Sequence, residues 1–284
     1  MVTKSNQIVT VLIASLMMSV VACSEYSERK DCFEWNYEHT IIMKLSEYGK
    51  TRDKIVIPEG CQELGGTLSD GIFEYVSFES DRDIPISTAF SNSSNLIEII
   101  LPSGMNSIPA GALQHCTSLK KVELPQGITE LPNFLFNGDT SLDSIAINGN
   151  ITSIGISCFH SCSSLSSILL PESLETISAK AFFGCSSLSS ISLPDSVREI
   201  DDKAFSECTS LQSISLPSSL SIIGDYLILE SGVTSITVPA DLELQEWKEE
   251  AFKNSVDVTV YVVEGSWADQ HFDEVFAGTI KEYY

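Results

Sequence analysis

The sequence is short of positive charge. It carries 16 Lys and Arg against 39 Asp and Glu, for a formal charge of −23 and a pI near 4.3. Nucleic acid is recognised through a basic face, so this balance excludes it as a partner. The same sign disfavours docking on anionic lipid through side-chain charge. Long apolar runs are scarce as well. Only residues 8–21 are almost wholly apolar, and these 14 residues fall short of the ~20 that a membrane-spanning helix needs. Catalytic signatures are missing: there is no HExxH, no GxSxG and no glycine-rich phosphate loop. What the chain does have is apolar material. With 43% hydrophobic and 19% charged residues over 284 positions, it can build a large core and is not disordered.

The apolar run has the length of a signal-peptide core, preceded by a short polar segment with Lys4. It ends Val20-Val21-Ala22-Cys23 and is followed at once by polar Ser24-Glu25. This arrangement resembles the lipobox of bacterial lipoproteins, in which the cysteine becomes the lipidated N-terminus of the mature protein. The resemblance implies lipidation at Cys23, removal of residues 1–22, and anchoring to the outer membrane, since Ser rather than Asp follows the cysteine. Two or three acyl chains anchor stably, because each buried CH₂ contributes ~0.8 kcal/mol. An ordinary cleaved signal, with Cys23 incidental, is the alternative.

The dominant signal is a 23-residue period. Phe90, Leu113, Phe136, Phe159, Phe182 and Phe205 recur at that step, with Ile228 in phase. Leu96, Leu119, Leu142, Leu165, Leu188 and Leu211 do the same, as do Ile99, Val122, Ile145, Ile168, Ile191 and Ile214. Cys116, Asp139, Cys162, Cys185 and Cys208 share a further position. Each unit reads L-x-x-I-x-L-P, an aliphatic residue seven places after the last Leu, then A-F, then C-x-S-L. This pattern resembles the leucine-rich repeats of the BspA-like, treponemal-type class of bacterial surface proteins. The resemblance implies a right-handed leucine-rich repeat solenoid, with a parallel sheet on the concave face and short helices or 3₁₀ turns on the convex face.

The residues agree with that expectation. In I-x-L two apolar side chains face one side of a strand, and the following Pro ends it. One unit cannot bury its own apolar face, so units must stack. The organisation expected is a signal peptide at 1–22, a tether at 23–40, an N-terminal cap with degenerate repeats at 41–83, regular repeats at 84–240 and a C-terminal cap at 241–284. Within that cap, 242–252 reads as helix and 256–263 as strand. Ser266 is placed to cap a helix running to Phe276, and 279–283 reads as a last strand.

The eight cysteines of an exported chain suggest disulfides. Repeat phase instead makes Cys116, Cys162, Cys185 and Cys208 a column of buried free thiols with parallel Cβ directions, a poor geometry for bridging. Cys158 lies four residues before Cys162, yet the pair lacks further metal ligands at a usual spacing. For Cys32 and Cys61, outside the phase, a bridge and free thiols both remain open.

No chemistry emerges from the remaining polar residues. His39, His115, His160 and His271 read as solvated loop histidines, with His115 and His160 expected to be exposed on the outer side. Asp81/Asp83 and Asp201/Asp202 read as solvated loop charge. Residues 137–143 contain oxygen ligands but lack the rest of a calcium loop. No catalytic, metal or cofactor site is expected, and no enzyme activity.

A candidate binding surface does follow from the repeat. Residues flanking the central Ile point to the concave face. They are Glu98, Ile100, Lys121, Glu123, Ser144, Ala146, Ser167, Leu169, Ser190, Ser192, Ser213 and Ser215, with Lys120 beside them and Ser235 and Thr237 beyond. One reading is that Ser and Thr are small residues suited to a stacked sheet. The other is a recognition strip, the common use of a solenoid's concave surface. The family resemblance implies protein binding or adhesion at the cell surface, to host matrix, another cell or an envelope protein. A scaffold subunit of an envelope complex and an accessory glycan-binding lipoprotein are the alternatives. Asp143-Ser144-Ile145 and Asp195-Ser196-Val197 match the Asp-Ser-aliphatic form of an O-glycosylation site in bacteria carrying such proteins.

Overall fold

The structure is a computed structural model. It describes residues 33–35, 41–45, 54–57, 63–64, 71, 74–78, 86, 88–147, 151–255 and 257–284. The expected signal peptide, Cys23, Cys32, Cys61, His39, Asp81 and Asp83 lie outside the described residues.

In chain order the early strands are β1 (Phe33–Trp35), β2 (Ile41–Leu45), β3 (Lys54–Ile57), β4 (Glu63–Leu64), β5 (Tyr75–Phe78), β6 (Glu98–Ile100) and β7 (Lys121–Glu123). The two-residue strands β8 (Glu130–Leu131), β9 (Ser153–Ile154), β10 (Thr176–Ile177) and β11 (Glu199–Ile200) follow. Then come β12 (Ser213–Ser215), β13 (Ile222–Ile223), β14 (Ser235–Thr237), β15 (Glu246–Trp247) and β16 (Thr259–Val262). The chain closes with α1 (Trp267–Gln270), α2 (Phe272–Val275) and β17 (Ile280–Tyr283).

Except for the antiparallel pair β1–β2, every strand pair among the described residues is parallel. The I-x-L strands form the ladders β3-β5-β6-β7 and β12-β14-β16-β17. The weak N-terminal copies are true rungs, because Ile55 pairs with Val76 and Val76 with Ile99.

A second parallel sheet, ordered β15-β13-β11-β10-β9-β8, runs along another side of the rod. It is built on the aliphatic residue seven places after the last Leu: Leu131 pairs with Ile154, Ile154 with Ile177 and Ile177 with Ile200. The polar-aliphatic alternation Glu-Leu, Ser-Ile, Thr-Ile, Glu-Ile places one apolar side chain inward on each two-residue strand.

The A-F return stretch completes the coil without forming a continuous helix. Bonds of the i→i−3 type expected of 3₁₀ turns are present, such as Cys158 N–H to Gly155 O and His160 N–H to Ser157 O. Alternate residues donate to the next coil instead: Ser157 to Ala179, Phe159 to Ala181 and Ser161 to Phe183. Ser157 and Ser161 do so from the left-handed region, at φ 53° and 59°. Phe134, Lys180, Lys203, Glu207 and Tyr226 repeat the device, each with positive φ and an N–H bonded to the following coil. Each such residue costs of order 1–3 kcal/mol of backbone strain, offset by the inter-coil bond that a regular helix would not supply. At Gly138, φ 79° combines with a His115 ring 2.3 Å from where a Cβ would stand, so a side chain there would have to displace that ring.

The core is one column set. Phe90, Phe136, Phe159, Phe182 and Phe205 are fully buried. Rings of Phe136, Phe159, Phe182 and Phe205 stack in sequence at 5.3, 5.3 and 5.5 Å. Burial of each such side chain contributes roughly 1.5–3 kcal/mol. Surface hydroxyls tie the coils from outside: Thr152, Ser166, Ser186 and Ser221 donate to the carbonyls of Thr129, Asp143, Ser163 and Arg198, each 23 residues earlier.

The helix expected over 242–252 is absent. That stretch is a further coil, in which β15 joins the six-stranded sheet and Phe252 continues the aromatic column above Ile228. Its apolar spacing fits both periods, and register with the preceding coil decides between them. The two strands expected at the C-terminus are present, but the helix expected to run to Phe276 is two short helices, α1 and α2, that meet at His271. Ser266 accepts from Asp269 N–H to cap α1, and β17 pairs parallel with β16.

Candidate functional site

The strand rows present their flanking residues outward. Ile99, Val122, Ile145, Ile168, Ile214 and Ile236 are buried, while Ile100, Lys121, Glu123, Ser144, Ala146, Ser167, Leu169, Ser190, Ser192, Ser213 and Ser215 are exposed or partly so. Glu98, Ser235 and Thr237 are half-buried, and Lys120, just before β7, is exposed. The structure therefore brings the candidate residues onto one surface.

Lys121 is not a free cation. Its Nζ lies 2.5 Å from Glu98 Oε1 and 3.1 Å from Glu123 Oε1. Hydrogen bonds from Lys121 to Glu98, and then to Glu123, raise its pKa. The trio is net negative, and among the described residues Lys120 makes no ion pair.

The ladder beneath the middle of this surface is interrupted. Among the described residues, rows 144–146 and 167–169 share one bridge, Ala146 to Leu169, and row 190–192 enters no sheet. Leu169 stands there with 77% of its surface exposed, and Ile191 is only half-buried. Leu169 therefore rises from a hydroxyl-lined break between two regular ladders.

Other chemistry-bearing residues are placed as scaffold. Cys116, Cys158, Cys162, Cys185 and Cys208 are free and buried. Burial pushes the Cys208 thiol up to about 12 and raises those of Cys116, Cys158, Cys162 and Cys185 as well, so none is a ready nucleophile. His160 stacks on Phe183 at 4.9 Å, and burial, then Lys180, lowers its pKa. His271 packs on Trp267 in the C-terminal cap, and His115 is exposed. Asp202 accepts from Lys248 and from Asp225 N–H, so it joins coils. Among the described residues no group of three or more His, Cys, Asp or Glu is placed to hold a metal ion. No described helix is long and apolar enough to cross a membrane. Sequence reasoning places the surface rows but misses both the break in the ladder and the neutralisation of Lys121, because each arises from neighbouring coils.

The BspA type leucine rich repeat region matches residues 69–161 and 129–259, in six copies. The chain belongs to this family. A leucine rich cell surface protein from Faecalibacterium prausnitzii shares the fold at 21% identity and a TM-score of 0.56, covering 81% of this chain and 73% of that one. A leucine-rich repeat protein from Treponema pallidum is 24% identical, with a TM-score of 0.44 and coverage of 80% and 86%. One from Eubacterium ventriosum is 26% identical, with a TM-score of 0.47 and coverage of 60% and 46%. No curated protein matches the chain. The architecture supports a protein-interaction role.

Proposed function

We propose that this chain is a lipid-anchored surface protein of the bacterial outer membrane, held through Cys23, that binds a protein partner on its concave face and catalyses nothing. The observation that carries the reading is Leu169, 77% exposed where the ladder narrows to one bridge. An exposed apolar side chain at the centre of a solenoid's inner surface, ringed by Ser167, Ser190 and Ser192, is the anchor geometry of a protein interface. The surrounding hydroxyls supply hydrogen bonds without charge to desolvate. Ser213 and Ser215 extend the strip, and Glu98, Lys121 and Glu123 form a charged rim. Host matrix, another cell and an envelope subunit are the partner classes this reading admits. The candidate residues include no aromatic platform for a sugar ring, which favours protein over glycan.

Protease shaving of intact cells tests the location, and Leu169→Asp with Lys121→Glu tests the face. The proposal expects the protein to be shaved and Leu169→Asp, still folded, to lose partner capture. Folded variants at both positions that capture every partner as well as wild type would overturn it.

A further inference from the structure

Five successive coils place Cys116, Asp139, Cys162, Cys185 and Cys208 in one column, all 0% exposed. The thiols share a bonding scheme. Cys116, Cys162, Cys185 and Cys208 donate from Sγ to the carbonyls of Phe90, Phe136, Phe159 and Phe182 at 3.0, 3.1, 3.1 and 3.1 Å. Each acceptor is the core aromatic residue of the preceding coil. On their other side, the thiols of Cys162, Cys185 and Cys208 face the backbone N–H of Asp139, Cys162 and Cys185, the equivalent position one coil back, which itself donates to the carbonyls of Phe136, Phe159 and Phe182. A rung of this column donates to one backbone carbonyl and faces one backbone N–H.

Asp139 fulfils half of that scheme. Its Oδ1 accepts from Cys116 N–H at 2.8 Å, again one coil back. Its Oδ2 is buried without a partner. The register assigns the carbonyl of Leu113, which holds the core aromatic position in its own coil, as the acceptor that a thiol would use at this rung. Among the described residues that carbonyl receives no backbone donor, since the Cys116 N–H has turned to Asp139. A carboxylate can only accept, whereas a carboxylic acid can donate through one oxygen.

We propose that Asp139 is held as a neutral carboxylic acid whose Oδ2–H donates to the Leu113 carbonyl, so that it is both a rung of the column and the pH-sensitive link of the solenoid. The titratable groups around it are the thiols of Cys116, Cys158 and Cys162, with His115 and His160 on the flanking turns. None is a Lys or Arg that would favour the ionised form. Burial raises the Asp139 pKa well above its ordinary value, against the opposing Cys116 N–H bond. The folded chain therefore keeps this proton at pH values where the unfolded chain has lost it. The stabilisation is complete below the ordinary Asp range and is lost as pH rises through the folded value. Asp139 leads directly into the Ser144 row, so its ionisation loosens the coil beneath the interrupted ladder.

Asp139→Asn keeps an acceptor and a donor in the same places and cannot ionise. Denaturant unfolding of the wild-type protein and this variant, measured from about pH 4 upward, separates the cases. The expected result is that the wild-type unfolding constant rises about tenfold per pH unit more steeply than that of the variant, until the folded pKa is reached. Infrared spectra should show a buried un-ionised carboxyl band at pH 7 that Asp139→Asn lacks. Parallel pH profiles, or no such band in the wild type, would overturn the proposal. Should Asp139→Asn fail to fold, Asp139→Cys, which restores the thiol used by the other rungs, provides the same comparison.

Discussion

Phe159 and Phe182 hold the same position in successive coils and stack with ring centroids 5.3 Å apart and planes within 5°. Both are fully buried. The pair expresses what holds this protein together: a side chain packs chiefly on its own equivalent in the next coil. Phe182 also touches Phe205 at 5.5 Å, so truncating it opens a cavity shared by two interfaces. Phe182→Ala should destabilise by about 3–5 kcal/mol in equilibrium denaturation. A loss below about 1 kcal/mol would contradict the stacked core.

The thiol column makes a chemical prediction. Cys116, Cys158, Cys162, Cys185 and Cys208 are buried, with pKa values pushed up by that burial. An alkylating reagent at pH 8 should leave all five unmodified in the native protein and modify them after denaturation. Peptide mass analysis reads this directly, and rapid native labelling of Cys185 would refute the packing described.

The C-terminal cap should loosen in acid. Asp269 accepts from Gly265 N–H, from Lys281 Nζ and from Tyr283 Oη–H, and these bonds hold its carboxyl below the usual Asp range. A depressed carboxylate stabilises the fold above its unfolded pKa and loses that effect as pH falls through the folded one. Protection of the amides over 265–284, with the intrinsic slowing of exchange in acid divided out, should therefore fall on acidification below about pH 4. Asp269→Asn should show quick exchange at neutral pH and no further response from this group.

How much of this is legible in the sequence depends on which side of a coil is considered. The Ile and Phe columns are readable because one residue type recurs in one phase, and the outward rows follow from strand alternation. Ser266 and β17 are readable from local cap and alternation signals. The second sheet is hidden, since two-residue strands such as Thr176–Ile177 carry too short an alternation to stand out. The return turns read as helical because Ala and Phe suit a helix. The left-handed residues that replace it, Ser157 and Lys180 among them, share no side-chain type, and what they share is a donor to the next coil. The pairing of Lys121 is hidden for a similar reason, because Glu98 belongs to the preceding coil in sequence yet lies 2.5 Å away in space.

Ser196 separates a structural from a modified hydroxyl. Its Oγ donates to Leu174 O at 2.6 Å and the residue is half-buried. Ser196→Ala should cost about 1 kcal/mol in stability. An intact mass equal to polypeptide plus lipid would show that neither Ser144 nor Ser196 carries a glycan.

The claim that the inner surface is the binding face is tested most directly by site-specific photocrosslinking on intact cells. A photoreactive residue at Leu169 or Ser190 is compared with one at Lys180 on the return turns. The account predicts a discrete partner adduct from Leu169 and Ser190 and none from Lys180. Adducts from Lys180 alone, with the concave positions silent, would contradict it.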